Sequence, residues 1–296
     1  MKQTIKVGSR DSKLAVIQAK IVMECIKKNS PTIELQLITM KTSGDILLDQ
    51  PLDKVGGKGL FVKELDIALQ NGEIDISVHS LKDMPAFLSD DLPLLAYSKR
   101  EDPRDALVLP LNENELLFEK PIGCSSARRK IQLYEIYNDV SVKPIRGNVP
   151  TRLNKLDNGE YSALVLATAG LIRLGLCDRI SRIFSTEQMI PAVGQGIIVV
   201  QGRKDFDSSI LKKFHDKESN DASLAEREFI KTLDGGCSAP TAGYAQINGN
   251  EIKLMGLYVD EKTEKKARGY ITGDRVNAQK MGYQLAKRLL QEAEYD

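Results

Sequence analysis

A strand, a helix and a second strand follow one another in residues 3–40, QTIKVGSRDSKLAVIQAKIVMECIKKNSPTIELQLITM. Residues 3–8 read as a short strand, and residues 33–40 alternate apolar and polar side chains as a half-buried strand does. Between the two strands, helical spacing is kept by Leu14, Ile17, Ile21 and Cys25. Asp11 or Ser12 suits the N-cap of this helix. The order favours a parallel sheet with helices on its faces.

The same alternation continues to residue 98. A glycine-rich loop, VGGKG (55–59), precedes a helix predicted from about residue 60 to residue 70. Strands are predicted at residues 74–80 and 92–98. The apolar run GIIVVQ (196–201) is a further strand, which we expect to return to the first sheet and make the first domain discontinuous.

A second α/β unit follows the charged stretch SKREDPRD (98–105), which we interpret as a linker because it has no apolar residue. From about Asp221 the pattern changes to one helix, three strand-like runs and a terminal helix at 274–293. The predicted class is therefore α/β, with two α/β domains and a small α+β C-terminal domain. The predicted boundaries are 1–98 with 197–216, then 99–196, then 217–296.

Composition narrows the possible functions. The 296 residues contain 42 Lys plus Arg and 41 Asp plus Glu, so the net charge of +1 offers no basic excess for a non-specific nucleic-acid binder. No signal-peptide core and no run of about 20 apolar residues is present, so we expect a cytoplasmic protein without a membrane partner. The four cysteines form no CxxC pair and only two histidines exist, so we expect chemistry without a metal.

Basic residues recur where strands give way to loops and helices. At such positions helix N-termini offer free N–H donors and a positive dipole end to anions. Arginine in the first turn of a helix is unfavourable unless an anion is present. Any one of these residues is more simply a solvated surface charge, but the set favours a cleft that binds a polyanion. The set comprises Arg10, Lys54, Lys58, Lys82, Arg128, Arg129, Arg146, Arg152 and Arg173.

Two further side chains are candidates for chemistry. Asp83 follows a strand and lies beside Lys82, where a carboxylate can stay ionised, stabilise a positive charge or move a proton. A helix cap or a salt bridge is the alternative, and spacing alone favours it. Cys237 lies in the turn-rich loop DGGCSAP, where nearby cations would make its thiol nucleophilic. An ordinary loop cysteine explains that pattern equally well.

Other residues that attract attention have plainer interpretations. His79 lies inside a predicted strand and is expected to be a packed core histidine. Cys25 and Cys177 fit core positions of helices. The glycines of VGGKG (55–59) match neither GxxxxGK[ST] nor GxGxxG, so nucleotide binding has little support.

Ten motifs, in order over residues 6–244, make the chain resemble the porphobilinogen deaminases, also called hydroxymethylbilane synthases. Five are in the first hundred residues or at their end: GSRDSKLA (8–15), KTSGD (41–45), KVGGKGLFVKEL (54–65), DISVHSLKDMP (75–85) and REDPRDAL (100–107). Five follow: GCSSARR (123–129), IRGNVPTRL (145–153), LATAGLIRLG (166–175), PAVGQG (191–196) and DGGCSAPTAGY (234–244). Ten motifs in family order are highly specific.

The resemblance implies two domains similar to periplasmic binding proteins, with an active site in the cleft between them. The family joins four porphobilinogen molecules, releases ammonia at each step and hydrolyses off linear hydroxymethylbilane. It builds the chain on a dipyrromethane cofactor, which a thioether holds to a loop cysteine. That position here is Cys237. The resemblance also favours a monomer.

The resemblance assigns roles by motif position. Asp83 matches the catalytic aspartate, which would stabilise the cationic pyrroles. Cofactor-binding positions are Cys237, Lys82, Ser126, Arg128, Arg129, Arg146 and Ser80. Substrate-binding positions are Arg10, Ser12, Lys54, Arg152 and Arg173. Because each porphobilinogen carries two carboxylates, a cleft lined by Arg and Lys suits the growing chain independently of the resemblance.

Some positions depart from the family pattern, and two other functions stay open. Cys124 stands where the family usually has Thr, and a thiol is a weaker donor than a hydroxyl. Gln201 replaces a usual Glu. An anion-binding protein without catalysis would need the basic cleft but no modified Cys237. A nucleotide-dependent enzyme would instead bind ATP or NAD.

Overall fold

The computed structural model describes residues 4–46, 62–233, 240–260 and 262–295. The glycine-rich loop at 55–59 with Lys54 and Lys58, and the loop that carries Cys237, lie outside these residues. By its contacts the chain divides into two compact units. The first is Met1–Glu101 with Ile197–Asp221, and the second is Asp102–Gly196 with Ala222–Asp296. The three-domain boundaries given above stay a prediction.

Twenty-one helices and strands make up the described part of the chain. The first segment contains β1 (Thr4–Arg10), α1 (Lys13–Asn29), β2 (Glu34–Met40), α2 (Ser43–Ile46), α3 (Lys63–Gln70), β3 (Ile76–Ser80) and β4 (Leu94–Tyr97). The second contains β5 (Asp105–Val108), β6 (Ile122–Gly123), α4 (Ala127–Ile136), β7 (Val142–Lys143), α5 (Val149–Asp157), β8 (Ala163–Ala167), α6 (Thr168–Arg173) and β9 (Arg182–Ile183). The rest are β10 (Ile198–Gly202), α7 (Lys217–Thr232), β11 (Ala242–Asn248), β12 (Glu251–Val259), β13 (Lys266–Asp274) and α8 (Ala278–Tyr295).

The sheet of the first unit has the strand order β2-β1-β3-β10-β4. β1 pairs in parallel with β2 and β3, whereas β10 pairs antiparallel with β3 and β4. The predicted parallel order of the first strands and the return of the 196–201 strand to this sheet are both confirmed. Among the described strands of this sheet, the one that runs against the others, β10, therefore comes from a distant part of the chain.

Helix α1 begins as predicted, but it buries a different face. The Ser12 hydroxyl accepts a hydrogen bond from the Ala15 amide at 3.3 Å and caps the helix. Ala19, Val22 and Ile26 are fully buried against the sheet, whereas Ile21 is 37% exposed. The predicted apolar stripe is thus wrong by about one residue. The buried face consists of Ala15, Gln18, Ala19, Val22 and Ile26.

The sheet of the second unit has the order β7-β6-β8-β5-β9, and it repeats the pattern of the first. β6 is parallel to β7 and β8, and β5 is antiparallel to β8 and β9. The linker predicted at 98–105 is wrong at its end, because Asp105 is the first residue of β5 and is fully buried. The site described below depends on that burial.

The C-terminal part of the second unit is an antiparallel sheet, β11-β12-β13, with α7 and α8 packed on it. Glu226 on α7 is fully buried and accepts hydrogen bonds from the amides of Gly194 and Ala245, both at 2.7 Å. One carboxylate therefore ties this helix to β11 and to the loop before β10. The predicted class, two α/β sheets plus a small α+β part, is confirmed.

One cysteine lies where it was not expected. Cys25 packs partly buried against the first core, as predicted, but Cys177 is exposed. Helix α6 ends at Arg173, and Cys177 begins a separate 3-10 turn, Cys177–Arg179, with no buried residue. The apolar spacing that suggested a helical core position therefore does not continue to residue 177.

Among the described helices, none is both long and apolar enough to cross a membrane.

Candidate functional site

In the first unit, predicted site residues meet where two parallel strands end. Arg10 ends β1 and Ser80 ends β3, and a 3-10 turn, Leu81–Asp83, follows directly. Because β1 and β3 are paired in parallel, their carboxyl ends lie at the same edge of the sheet. A cavity of about 50 Å³ opens there. It is lined by Arg10, Ser12, Leu14, Ala15, Gln18, Val78, His79, Ser80 and Asp83.

A glutamine that the sequence analysis missed holds one of these side chains. The Gln18 amide nitrogen donates to the Ser80 hydroxyl at 2.8 Å, and that hydroxyl is 3.2 Å from the Gln18 amide oxygen. Gln18 lies on the buried face of α1 although it is polar. Its burial at an otherwise apolar helical position is the signal that it serves a polar partner.

His79 is a neutral wall of this cavity. It is 5% exposed, and its Nε2 lies 2.8 Å from the Ser77 hydroxyl, which is 3.4 Å from the Gln201 amide oxygen. Burial, and then the positive charge of Arg10, lowers the pKa of His79 to about 4. The imidazole is therefore uncharged at pH 7, and its predicted role as a packed core histidine is confirmed. Arg10 and Asp83 are the ionic groups that line the cavity.

In the second unit, two arginines converge on one buried carboxylate. The Arg128 Nη1 donates to Asp105 Oδ2 at 2.8 Å, and the Arg129 Nη2 donates to Asp105 Oδ1 at 2.7 Å. Asp105 is fully buried, and both arginines are less than 10% exposed. Burial opposes ionisation of Asp105, yet the charges and hydrogen bonds of the two guanidiniums hold its pKa well below the usual range.

Arg152 adds a further positive charge to this cluster. Its Nε donates to the Gly147 carbonyl at 2.7 Å. Burial, followed by the charge of Arg129, lowers the pKa of Arg152 to about 10, and Arg146 lowers it further still in the same direction. Four arginines therefore influence one another in this unit while Asp105 supplies the buried carboxylate among them. Such a cluster fits a polyanionic ligand.

Local backbone geometry presents these arginines. Asn148 caps α5 by accepting a hydrogen bond from the Thr151 amide at 3.0 Å, which places Arg152 in the first turns of that helix. Gly147 has a φ of +110°, and a Cβ there would lie 2.8 Å from the Thr151 Cγ2. The RGN motif therefore requires glycine at its centre.

The remaining predicted residues lie at helix ends of the second unit. Ser126 is the N-cap of α4 and accepts from the Arg129 amide at 3.5 Å. Arg173, at the end of α6, donates from Nη2 to the Gly196 carbonyl at 2.6 Å. Cys124 is buried, its thiol donates to the Ser126 carbonyl at 3.6 Å, and burial raises its pKa. The cysteine that replaces the usual Thr at position 124 is thus buried and forms its hydrogen bond within the protein.

The structure therefore groups the predicted residues into two sets. The first unit brings together Arg10, Ser12, Ser80 and Asp83 around its cavity, with Lys82 adjacent in the chain. The second unit carries Ser126, Arg128, Arg129, Arg146, Arg152 and Arg173. Lys54 and Cys237 fall outside the described residues. The sequence analysis does not single out Asp105, or Gln195, whose Nε2 donates to Asp105 Oδ1 at 2.9 Å. The one signal for them in the sequence is their place within the REDPRDAL and PAVGQG motifs.

Two family models match this chain in succession. The first, porphobilinogen deaminase, dipyromethane cofactor binding domain, matches residues 5–211. The second, porphobilinogen deaminase, C-terminal domain, matches residues 221–291. The chain belongs to the porphobilinogen deaminase family. The family predicted from the ten motifs is thereby confirmed.

Curated relatives are similar over almost the full length. The porphobilinogen deaminase of Acetivibrio thermocellus is 61% identical over 290 residues, which are 98% of this chain and 99% of that protein. The porphobilinogen deaminase of Alkaliphilus oremlandii is 59% identical over 98% of each chain. Among solved structures, the methionine-binding protein MetQ matches with a TM-score of 0.44 and 16% identity, over 71% of this chain and 88% of that chain.

Proposed function

We propose that this chain joins four porphobilinogen molecules into linear hydroxymethylbilane, with release of ammonia, on a dipyrromethane primer attached to Cys237. Family membership supports the reaction class. The observation that carries the proposal is that, among the described residues, Arg128, Arg129, Arg146 and Arg152 gather around the single buried carboxylate of Asp105. Burial, followed by the charges of Arg129 and Arg146, lowers the pKa of Arg152 to about 10. Buried guanidiniums gathered in this way suit a ligand with several carboxylates.

The donors that this chain presents fit a dipyrromethane. When bound, that group would supply the terminal pyrrole carbon to which each new unit is joined. Its carboxylates suit guanidinium and hydroxyl donors, so the proposed holding residues are Ser80, Lys82, Ser126, Arg128, Arg129 and Arg146. Incoming substrate carboxylates are assigned to Arg10, Ser12, Lys54, Arg152 and Arg173. Arginine matches a carboxylate with two parallel N–H donors, which fixes orientation as well as affinity.

Asp83 is the proposed catalytic residue. It lines a cavity whose histidine is neutral, so its carboxylate is the anionic group that a pyrrole N–H can meet there. Loss of ammonia and C–C bond formation both develop positive charge on pyrrole. A carboxylate fixed close to that charge stabilises the transition state more than the ground state. Arg10, on the neighbouring strand end, is placed to hold a substrate carboxylate.

The test is Asp83→Asn, with Asp90→Asn as the matched control. Asp90 is an exposed aspartate of the same unit that does not line the cavity. We expect porphobilinogen consumption to fall by about 100-fold or more in Asp83→Asn and to be unchanged in Asp90→Asn. Equal consumption by Asp83→Asn and wild type would refute the assignment. An unmodified wild type that binds porphobilinogen without consuming it would favour the anion-binding alternative.

The proposal includes a monomer that acts in the cytoplasm without nucleic-acid or membrane partners. The net charge of +1 supports the proposed lack of a nucleic-acid partner, since a non-specific nucleic-acid binder needs a basic excess. Sedimentation of the purified protein checks the monomer, and a dimer mass would contradict it.

A further inference from the structure

A buried carboxylate that has no assigned part in the reaction organises the arginine pair. Asp105 is fully buried at the start of β5. Its Oδ2 accepts from Arg128 Nη1 at 2.8 Å. Its Oδ1 accepts from Arg129 Nε at 3.0 Å, from Arg129 Nη2 at 2.7 Å and from Gln195 Nε2 at 2.9 Å. With four charge-assisted or amide donors, the carboxylate is held in one orientation.

The guanidiniums are fixed by the same network. Arg128 Nη1 also donates to the Ile190 carbonyl at 2.8 Å, and Arg129 Nη1 donates to the Val165 carbonyl at 3.1 Å. Each guanidinium is thus held between Asp105 and one backbone carbonyl. The Nε and Nη2 groups of Arg128 make no hydrogen bond with any residue that the structure describes. These N–H groups are the donors left for a ligand.

The guanidiniums of Arg128 and Arg129, on consecutive residues, repel each other, and the charge of Arg129 contributes, after burial, to the lowered pKa of Arg152. Without the Asp105 carboxylate between them, the guanidiniums of Arg128 and Arg129 would move apart and would no longer be held in a fixed orientation relative to each other. Asp105 offsets part of the charge from the buried side. The rest of the positive charge stays available to an anion.

We propose that Asp105 is a positioning residue for ligand recognition: it orients Arg128 and Arg129 and preserves the donors that a carboxylated ligand uses. Gln195 supports it by fixing the carboxylate through Oδ1, and the Gln195 amide nitrogen also donates to the Pro103 carbonyl at 2.6 Å. The inference rests on the proposed function, because it assumes that the arginine pair binds dipyrromethane or porphobilinogen carboxylates. Asp105 itself touches no ligand in this scheme.

The experiment compares Asp105→Asn with Asp157→Asn in the full chain. Asp157 is a matched control, since it forms a two-point ion pair with Arg179 in the same unit, at 2.7 Å and 3.1 Å, and takes no part in the arginine cluster. Three quantities are measured for each protein: the melting temperature, the mass added by covalent dipyrromethane, and kcat and KM for porphobilinogen. Both variants are expected to melt below wild type.

Only Asp105→Asn should alter recognition. We expect it to raise the KM about ten-fold or to lower the fraction of protein that carries the cofactor by a similar factor, because displaced donors no longer match the ligand. Asp157→Asn should keep wild-type KM and cofactor content. Wild-type KM and full cofactor content in a folded Asp105→Asn protein would overturn the inference while leaving the proposed function intact. Absence of turnover in wild type would instead refute the proposed function.

A second variant covers the case in which Asp105→Asn does not fold. Gln195→Met removes one hydrogen bond to Asp105 and leaves both ion pairs in place. It should raise the KM in the same direction by about three-fold or more. An unchanged KM and cofactor content in this variant would then overturn the inference.

Discussion

Replacing Arg152 with methionine should stabilise the protein while it weakens the use of porphobilinogen. Burial, followed by the neighbouring charges, lowers the pKa of Arg152 from its ordinary value to about 10. At about 1.36 kcal/mol per pKa unit, the charged side chain is disfavoured in the fold by about 3 kcal/mol. Methionine removes that charge and keeps most of the apolar stem. It also removes the hydrogen bond to Gly147, which is worth about 1 kcal/mol. The free energy of unfolding should therefore rise by about 2 kcal/mol.

Urea denaturation without porphobilinogen measures this change, with every variant for this measurement made in the Cys237→Ala background so that no bound cofactor offsets the positive charge. Arg179→Met is the control, because Asp157 offsets the charge of Arg179 at 2.7 Å. This substitution should lower the free energy of unfolding by about 1 kcal/mol. Arg152→Met should also raise the KM for porphobilinogen, whereas Arg179→Met should not. A loss of more than 1 kcal/mol in Arg152→Met would refute the idea that the cluster carries excess positive charge.

Three further predictions follow from buried groups. His79 has a folded pKa of about 4 and an unfolded pKa near 6.5, so its contribution to the free energy of unfolding is fully present above pH 6.5 and is lost as the pH falls towards 4. His79→Gln should therefore make the melting temperature depend less on pH between 4 and 6.5, and a pH profile identical to that of wild type would contradict this. Burial raises the pKa of Asp66 to about 6, so its contribution to the free energy of unfolding is most favourable below about pH 4 and falls as the pH rises through 6. Asp66→Asn should raise the melting temperature at pH 8 but not at pH 4, and equal gains at the two pH values would argue against this. Gly256→Ala should cost about 1–3 kcal/mol of stability in thermal unfolding, because a Cβ would lie 2.5 Å from the buried Phe229 ring, while Gly273→Ala, which faces the flexible Met281 at 3.2 Å, should cost less.

The strand–helix pattern was sufficient to predict the architecture. The 3.6-residue spacing in residues 11–28 predicted α1, and the apolar run at 196–201 predicted the returning strand β10. The buried face of α1 was not predictable to the residue, because apolar side chains surround most of this helix. In the structure the buried face is the one with Ala15, Ala19, Val22 and Ile26.

The site was predictable in residue type but not in geometry. Spacing placed Arg128, Arg129 and Arg152 at strand-to-helix junctions, where the structure has them. The sequence analysis places Asp105 in a charged linker, because only tertiary structure brings the arginines of α4 onto it. Burial of a charge depends on a partner more than twenty residues away, and local sequence carries no such information.

The intact mass of the purified protein under denaturing conditions, beside Cys237→Ala, tests the central claim most directly. The account predicts an excess equal to two linked pyrrole units in wild type and none in the variant. The reading of Cys237 as the attachment point would be contradicted by the same excess in Cys237→Ala. A wild type that keeps the bare mass after incubation with porphobilinogen, and releases no ammonia, would contradict the proposed function as a whole.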